Sequence, residues 1–172
     1  GNMGDFSFRA VEVLRSVAVI LAEDTRHSRT LLDRYEIRTP TASHHEHNEA
    51  KTTPALVDRL RAGESLALIS DAGTPLLSDP GARLVRAAID AGIKQFIHMS
   101  SLSVITGQED QFNVDENAPL RTCGEAYADS KVEAEKLVIS LAGTGEMRVT
   151  ILRPGFIYGP GERAWMPRLI NN

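Results

Sequence analysis

Tyr127 and Lys131 stand four residues apart in "AYADSKVEAEKLVISLA", a segment of helical period. One turn of helix therefore carries a phenol and an ammonium on the same face. A cation beside a phenol favours the phenolate and lowers its pKa from about 10, which makes the hydroxyl a usable general acid or base. The same two residues can also be read more plainly, as a half-buried aromatic and a solvated charge on a helix face.

A second group is His44, His45 and His47 with Glu46 and Glu49. These are metal-ligand types. On a segment that runs from strand into loop, however, alternate side chains point to opposite faces, whereas a metal needs its ligands to converge. The expectation is a polar strand end and a helix cap, with no metal. A third group sets glycine beside aspartate, in "GNMGD" and in "SDAGTPLLSDPG". Glycine lets a backbone approach a ligand closely, and a carboxylate accepts hydrogen bonds from hydroxyl groups. Asp79, Pro80 and Gly81 also make a good helix start, with aspartate capping and proline in the first turn.

The elements that must position these groups follow from the apolar pattern. Short runs rich in valine, isoleucine and leucine alternate with longer helical segments, as when parallel strands are covered by helices. The pattern predicts strands at 17–22, about 39–43, 65–70, 95–99 and 148–152. It predicts helices at 7–16, 26–35, 53–62, 81–91 and 125–141, and a short one near 163–170. The polar, proline-bearing stretch 106–122 reads as a long surface loop. Glycines and prolines mark the strand exits, "SDAGTPLLSDPG" after the third strand and "RPGFIYGPGE" after the last. Those exits lie at the carboxyl edge, where open α/β sheets bind ligands.

With 172 residues, the chain has the length of one domain that buries roughly two thirds of its unfolded surface. A net charge of −4 argues against a non-specific grip on nucleic acid. Apolar runs such as "VAVILA" are too short to span a bilayer, and the start has no signal-peptide pattern, so a cytoplasmic protein without a membrane partner is expected. A lone cysteine, Cys123, excludes an internal disulfide and a multi-thiolate metal site. The apolar edge segment "RVTILRP" invites pairing with a second copy, hence an expected homodimer through an exposed edge strand.

Taken together, "GNMGD", "AEDTRHSRTLL", "HHEHNE" and "SDAGTPLLSDPG" resemble the N-terminal domain of the ribosomal-RNA ribose methyltransferases of the tetrapyrrole-methylase superfamily, over residues 1 to about 92. The resemblance implies S-adenosylmethionine as cofactor, with Gly4, Asp5, Asp71, Ala72, Gly73 and Thr74 as inherited contacts. From about residue 93 to 172, "FIHMSSLSV", "DENAPL", "YADSK" and "RVTILRPGFIYGPGER" resemble the C-terminal part of extended short-chain dehydrogenase/reductases. That resemblance implies NAD(P), with Tyr127 and Lys131 as the proton-handling pair. It further implies a hydroxyl from Ser101 or else Ser100 on the substrate oxygen, and Arg153, Pro154 and Gly155 near the nicotinamide. The glycine-rich dinucleotide turn of that family, "GxxGxxG" or "GxGxxG", does not occur in the sequence.

The two resemblances meet in "AIDAGIKQFIHMSS", residues 88–101, where a helix runs through a glycine into a strand. Both families share that element, so fragments joined there keep the apolar pattern intact. The expectation is an engineered chimera made by fragment recombination, a single α/β domain over 1–172 with its seam near 85–95. Selected catalytic function is expected to be absent. The alternatives are residual S-adenosylmethionine binding and residual NAD(P)-dependent reductase or epimerase activity. The expected architecture is a three-layer α/β/α sandwich around one five-stranded parallel sheet. The methyltransferase fragment without its family's first strand reads 3-2-4, and two further strands give the flavodoxin-like order 2-1-3-4-5.

Overall fold

The computed structural model describes residues 6–70, 81–106, 112–142 and 147–155. In chain order the elements are α1 (Phe8–Ser16), β1 (Val19–Ala22), α2 (Thr25–Arg34), β2 (Thr41–Ser43), α3 (Glu46–Arg61), β3 (Leu66–Ile69), α4 (Ala82–Asp90), β4 (Gln95–Met99), α5 (Ser103–Thr106), α6 (Ala126–Ala142) and β5 (Arg148–Leu152). The short helix expected near 163–170 lies outside the described residues.

Local chemistry accounts for the helix starts. The Ser7 hydroxyl accepts from the amide of Ala10, and the Asp24 carboxylate from that of Arg26, so α1 and α2 are each capped by a side chain that satisfies an end N–H. Helix α3 begins seven residues earlier than the sequence pattern predicts, because the Asn48 side chain accepts from the His45 amide and fixes the first turn there. Pro54 then sits inside the helix rather than near its start. The short helix α5 was also not expected. Ser101 starts it, its hydroxyl accepting from the Ser103 amide and its carbonyl from that of Val104.

All strand pairs are parallel, as expected, but the single five-stranded sheet is corrected to two sheets, ordered β2-β1-β3 and β4-β5. Within each sheet the order agrees with 2-1-3-4-5; the β3–β4 ladder is missing. Parallel strands must approach to about 4.8 Å to bond. Contact between the two parts instead runs through α4. Its Leu84, with Ala87 and Ala91 around it, packs with Val19, Leu21, Leu56 and Val57, while Val85 and Ile89 pack with Val138, Phe96 and Val149. One helix therefore contributes to two cores.

The three-layer expectation is met around the first sheet alone. There α1 and α2 cover one face through Val11, Leu14 and Leu32, and α3 and α4 cover the other. The second sheet has α4 and α6 on one face, while on the opposite face Ile97 and Met99 are 57% and 56% exposed. Part of the expected surface loop is packed as well, with Ala118 and Leu120 resting on Val104, Ile105 and Val132.

Candidate functional site

The carboxyl ends of β4 and β5 and the first turns of α6 converge on one site. Two backbone bonds continue the ladder past the strands, from the Ser100 amide to the Leu152 carbonyl at 2.8 Å and from the Leu102 amide to the Pro154 carbonyl at 2.9 Å. They hold Ser100, Ser101, Arg153, Pro154 and Gly155 side by side at that edge. Helix α6 brings Tyr127, Lys131 and Glu135 to the site from successive turns of one face.

The side chains divide into an interior clasp and an outward-facing set. Glu135, fully buried, accepts from the Ser100 hydroxyl and from the Arg153 guanidinium, whose Nε lies 3.1 and 3.2 Å from the two carboxylate oxygens. Arg153 Nη1 also donates to the Glu116 carbonyl at 2.9 Å, tying the 112–120 segment to the clasp. Burial by itself would raise the Glu135 pKa, but the hydrogen bonds from Arg153 and Ser100 outweigh it and hold the carboxyl below its ordinary value. The Arg153 guanidinium is raised in turn by Glu135.

Lys131 is buried, not solvated, and its ammonium donates to the Met99 carbonyl at 3.3 Å. The same nitrogen lies 5.9 Å from the centre of the Tyr127 ring, in cation–π range. Tyr127 itself is 49% exposed, so its phenol faces solvent beside a desolvated cation. Ser100 is spent on Glu135, which leaves Ser101 as the available hydroxyl. The Ser101 oxygen accepts from the Ser103 amide at 3.2 Å and shares a hydrogen bond of 2.9 Å with the Ser103 hydroxyl. Phenol, ammonium and serine hydroxyl thus lie at the same carboxyl edge of the second sheet.

Sequence reasoning missed two groups here. Glu135 was signalled by its spacing, one turn beyond Lys131. His98 gave no signal: it is buried on the inner face of β4 with Nε2 unbonded, and burial, reinforced by Lys131 and opposed by Glu135, lowers its pKa. Arg153 was expected near a nicotinamide; its guanidinium is taken up by Glu135 and Glu116.

The other expected contacts, Gly4, Asp5, Asp71, Ala72, Gly73 and Thr74, lie outside the described residues. The histidine group of the same part is described. His45 caps α3, and His44 is fully buried with Nδ1 2.9 Å from the Thr52 hydroxyl. One Glu49 carboxylate oxygen accepts from the amides of Gly81 and Arg83, both at 3.0 Å. Among the described residues no three histidine, cysteine or acidic side chains are placed to hold a metal ion. None of the described helices is long and apolar enough to cross a membrane.

Parallel strands joined by crossover helices define a Rossmann-like α/β protein. Residues 1–99 match the tetrapyrrole (corrin/porphyrin) methylases and residues 80–172 the 3-beta hydroxysteroid dehydrogenase/isomerase family. Each match spans more than half of the chain, and the chain belongs to both families, one in each part, with the overlap falling on α4 and β4. The ribosomal RNA small subunit methyltransferase I of Mesorhizobium japonicum is 55% identical over 94 residues, which are 55% of this chain and 32% of that protein. The chain spans about a third of the length of such curated relatives. Among solved structures, UDP-glucuronic acid 4-epimerase from Bacillus cereus in complex with NAD has a TM-score of 0.60 at 16% identity, covering 93% of this chain and 57% of the epimerase. A dTDP-glucose 4,6-dehydratase from Streptomyces venezuelae with NAD bound has a TM-score of 0.59 at 18% identity, covering 98% and 60%. At that identity the likeness is one of fold.

Proposed function

We propose that the chain is an engineered chimera, a methyltransferase-like and a dehydrogenase-like fragment joined near residues 85–95 into one α/β scaffold without selected catalytic function. The observation that carries this reading is helix α4, which divides its apolar side chains between the cores of the two parts and lies where the two family matches overlap. The polar groups of the second part add support. Arg153, Ser100 and the Lys131 ammonium are engaged by Glu135 and the Met99 carbonyl, so they brace the edge from inside.

A second reading has its own observation. Tyr127, Lys131 and Ser101 are together at the carboxyl edge, with Tyr127 half exposed and the Ser101 hydroxyl not engaged by the Glu135 clasp. That arrangement favours a residual NAD(P)-linked reductase or epimerase site, in which the dinucleotide would carry hydride while these side chains hold and pass a proton.

Calorimetric titration with S-adenosylmethionine, NADH and NADPH separates the readings. A scaffold gives no heat of binding with any of the three. Micromolar binding of NADH or NADPH that weakens in Tyr127→Phe overturns it in favour of the second reading. Binding of S-adenosylmethionine overturns it in favour of a surviving methyl-donor cleft.

A further inference from the structure

His44 is a buried titratable side chain for which neither reading has a use. The Thr52 hydroxyl donates to the carbonyl of Asn48 at 3.1 Å, so its oxygen accepts the proton that His44 carries on Nδ1. With the Thr52 proton on that carbonyl, the neutral ring carries its proton on Nδ1 and a lone pair on Nε2. That nitrogen is fully buried, has no hydrogen-bond partner among the described residues, and lies 4.0 Å from the Glu49 oxygen that caps α4. Glu49 makes that cap across the fold, on the amides of Gly81 and Arg83. Gly81, at φ +136°, adopts a backbone that glycine alone takes readily and has no side chain with which to cap the helix itself.

We infer that His44 and Glu49 form a pH-operated latch on the first turn of α4: neutral His44 leaves the Glu49 carboxylate to the helix N-terminus, and charged His44 draws it away. Protonation puts a donor on Nε2 that competes for the same oxygen. It also sets a positive charge beside a helix N-terminus, where positive charge is unfavourable. Among the described residues the titratable groups that act on His44 are Glu49, which favours its protonation, and His45, which opposes it. At the start of α4 the amides of Gly81 and Arg83 hold the same Glu49 oxygen, and from β1 the Ala22 carbonyl accepts the His44 amide. Burial is the largest influence and keeps the ring neutral at ordinary pH. Because α4 packs with both parts, the latch acts on the helix they share.

The test is amide hydrogen exchange of Gly81 and Arg83 in the full chain, from about pH 7.5 down through the pH at which His44 titrates, each rate divided by the intrinsic chemical rate, with His44 followed by NMR. Protection of both amides should fall about tenfold as His44 takes up its proton, the equivalent of one pKa unit of coupling. In His44→Gln the protection should stay flat across the range. If that variant does not fold, Glu49→Gln serves, with protection low at every pH and no acid step. Protection that stays constant while His44 titrates, or an acid step that survives in either variant, overturns the latch.

Discussion

The two parts bury their sheets in different ways. Every residue of β1, Val19 to Ala22, is buried, because helices cover both faces of the first sheet. In β4 and β5 burial alternates: Phe96, His98, Val149 and Ile151 face α4 and α6, and Gln95, Ile97, Met99, Thr150 and Leu152 face away. The first part has an apolar sandwich. The second has a one-sided apolar layer closed at its carboxyl edge by Glu135, Arg153 and Ser100. A sheet covered on one side needs something besides area to fix its edge, and here a charged clasp does it, taking one group from α6, one from the exit of β4 and one from the exit of β5.

If that contrast is right, the largest effect should come from the clasp. Arg153→Ala leaves the buried Glu135 carboxylate without its counter-charge, with only the Ser100 hydroxyl still bonded to it, which should cost about 3–5 kcal/mol of unfolding free energy. Urea denaturation measures it, and a loss below about 1 kcal/mol would mean that water replaces the guanidinium and the clasp does not hold the second part.

Next come the faces. Leu21→Ala should cost about 2–5 kcal/mol by leaving a cavity between two helix layers, whereas Ile97→Ala on the bare face should stay within about 0.5 kcal/mol. Equal costs for the two would break the comparison, since they would mean that the outer face of β4 is covered in solution.

Smallest is the pH dependence, to which each part contributes one histidine. His44 and His98 are both held below their ordinary value of 6.5, chiefly by burial. The unfolded chain takes up these protons near 6.5 and the folded chain only at lower pH, so stability is full above that value and declines as pH falls through it. The urea midpoint should therefore drop between about pH 7.5 and about pH 5. His44→Gln and His98→Gln should each remove part of the drop. A single variant that removed all of it would assign the acid sensitivity to one part.

Much of this was legible along the chain. All five strands were, since short apolar runs such as "AVILA" and "RVTIL" between helical segments fit the strands of a parallel sheet, and their ends moved by only two residues at most. The start of α3 was not, because the proline at 54 suggests a first turn while the decisive Asn48-to-His45 bond lies upstream in a stretch that reads as strand end. At the site, the Tyr127 and Lys131 spacing gave their common face. Which serine is free was not legible, since it depends on Glu135 reaching Ser100 across 35 residues of chain.

The sequence by itself determined the class of fold, the parallel strands and the two family memberships, because periodicity and motif are local and survive whatever the neighbours are. Only the tertiary structure decided the pairings. Two sheets stand in place of one, α4 and no β3–β4 ladder joins the parts, and Arg153 turns inward to Glu135. Each of these depends on distances between segments far apart in the chain, and periodicity fixes the face a residue occupies but not the partner it meets.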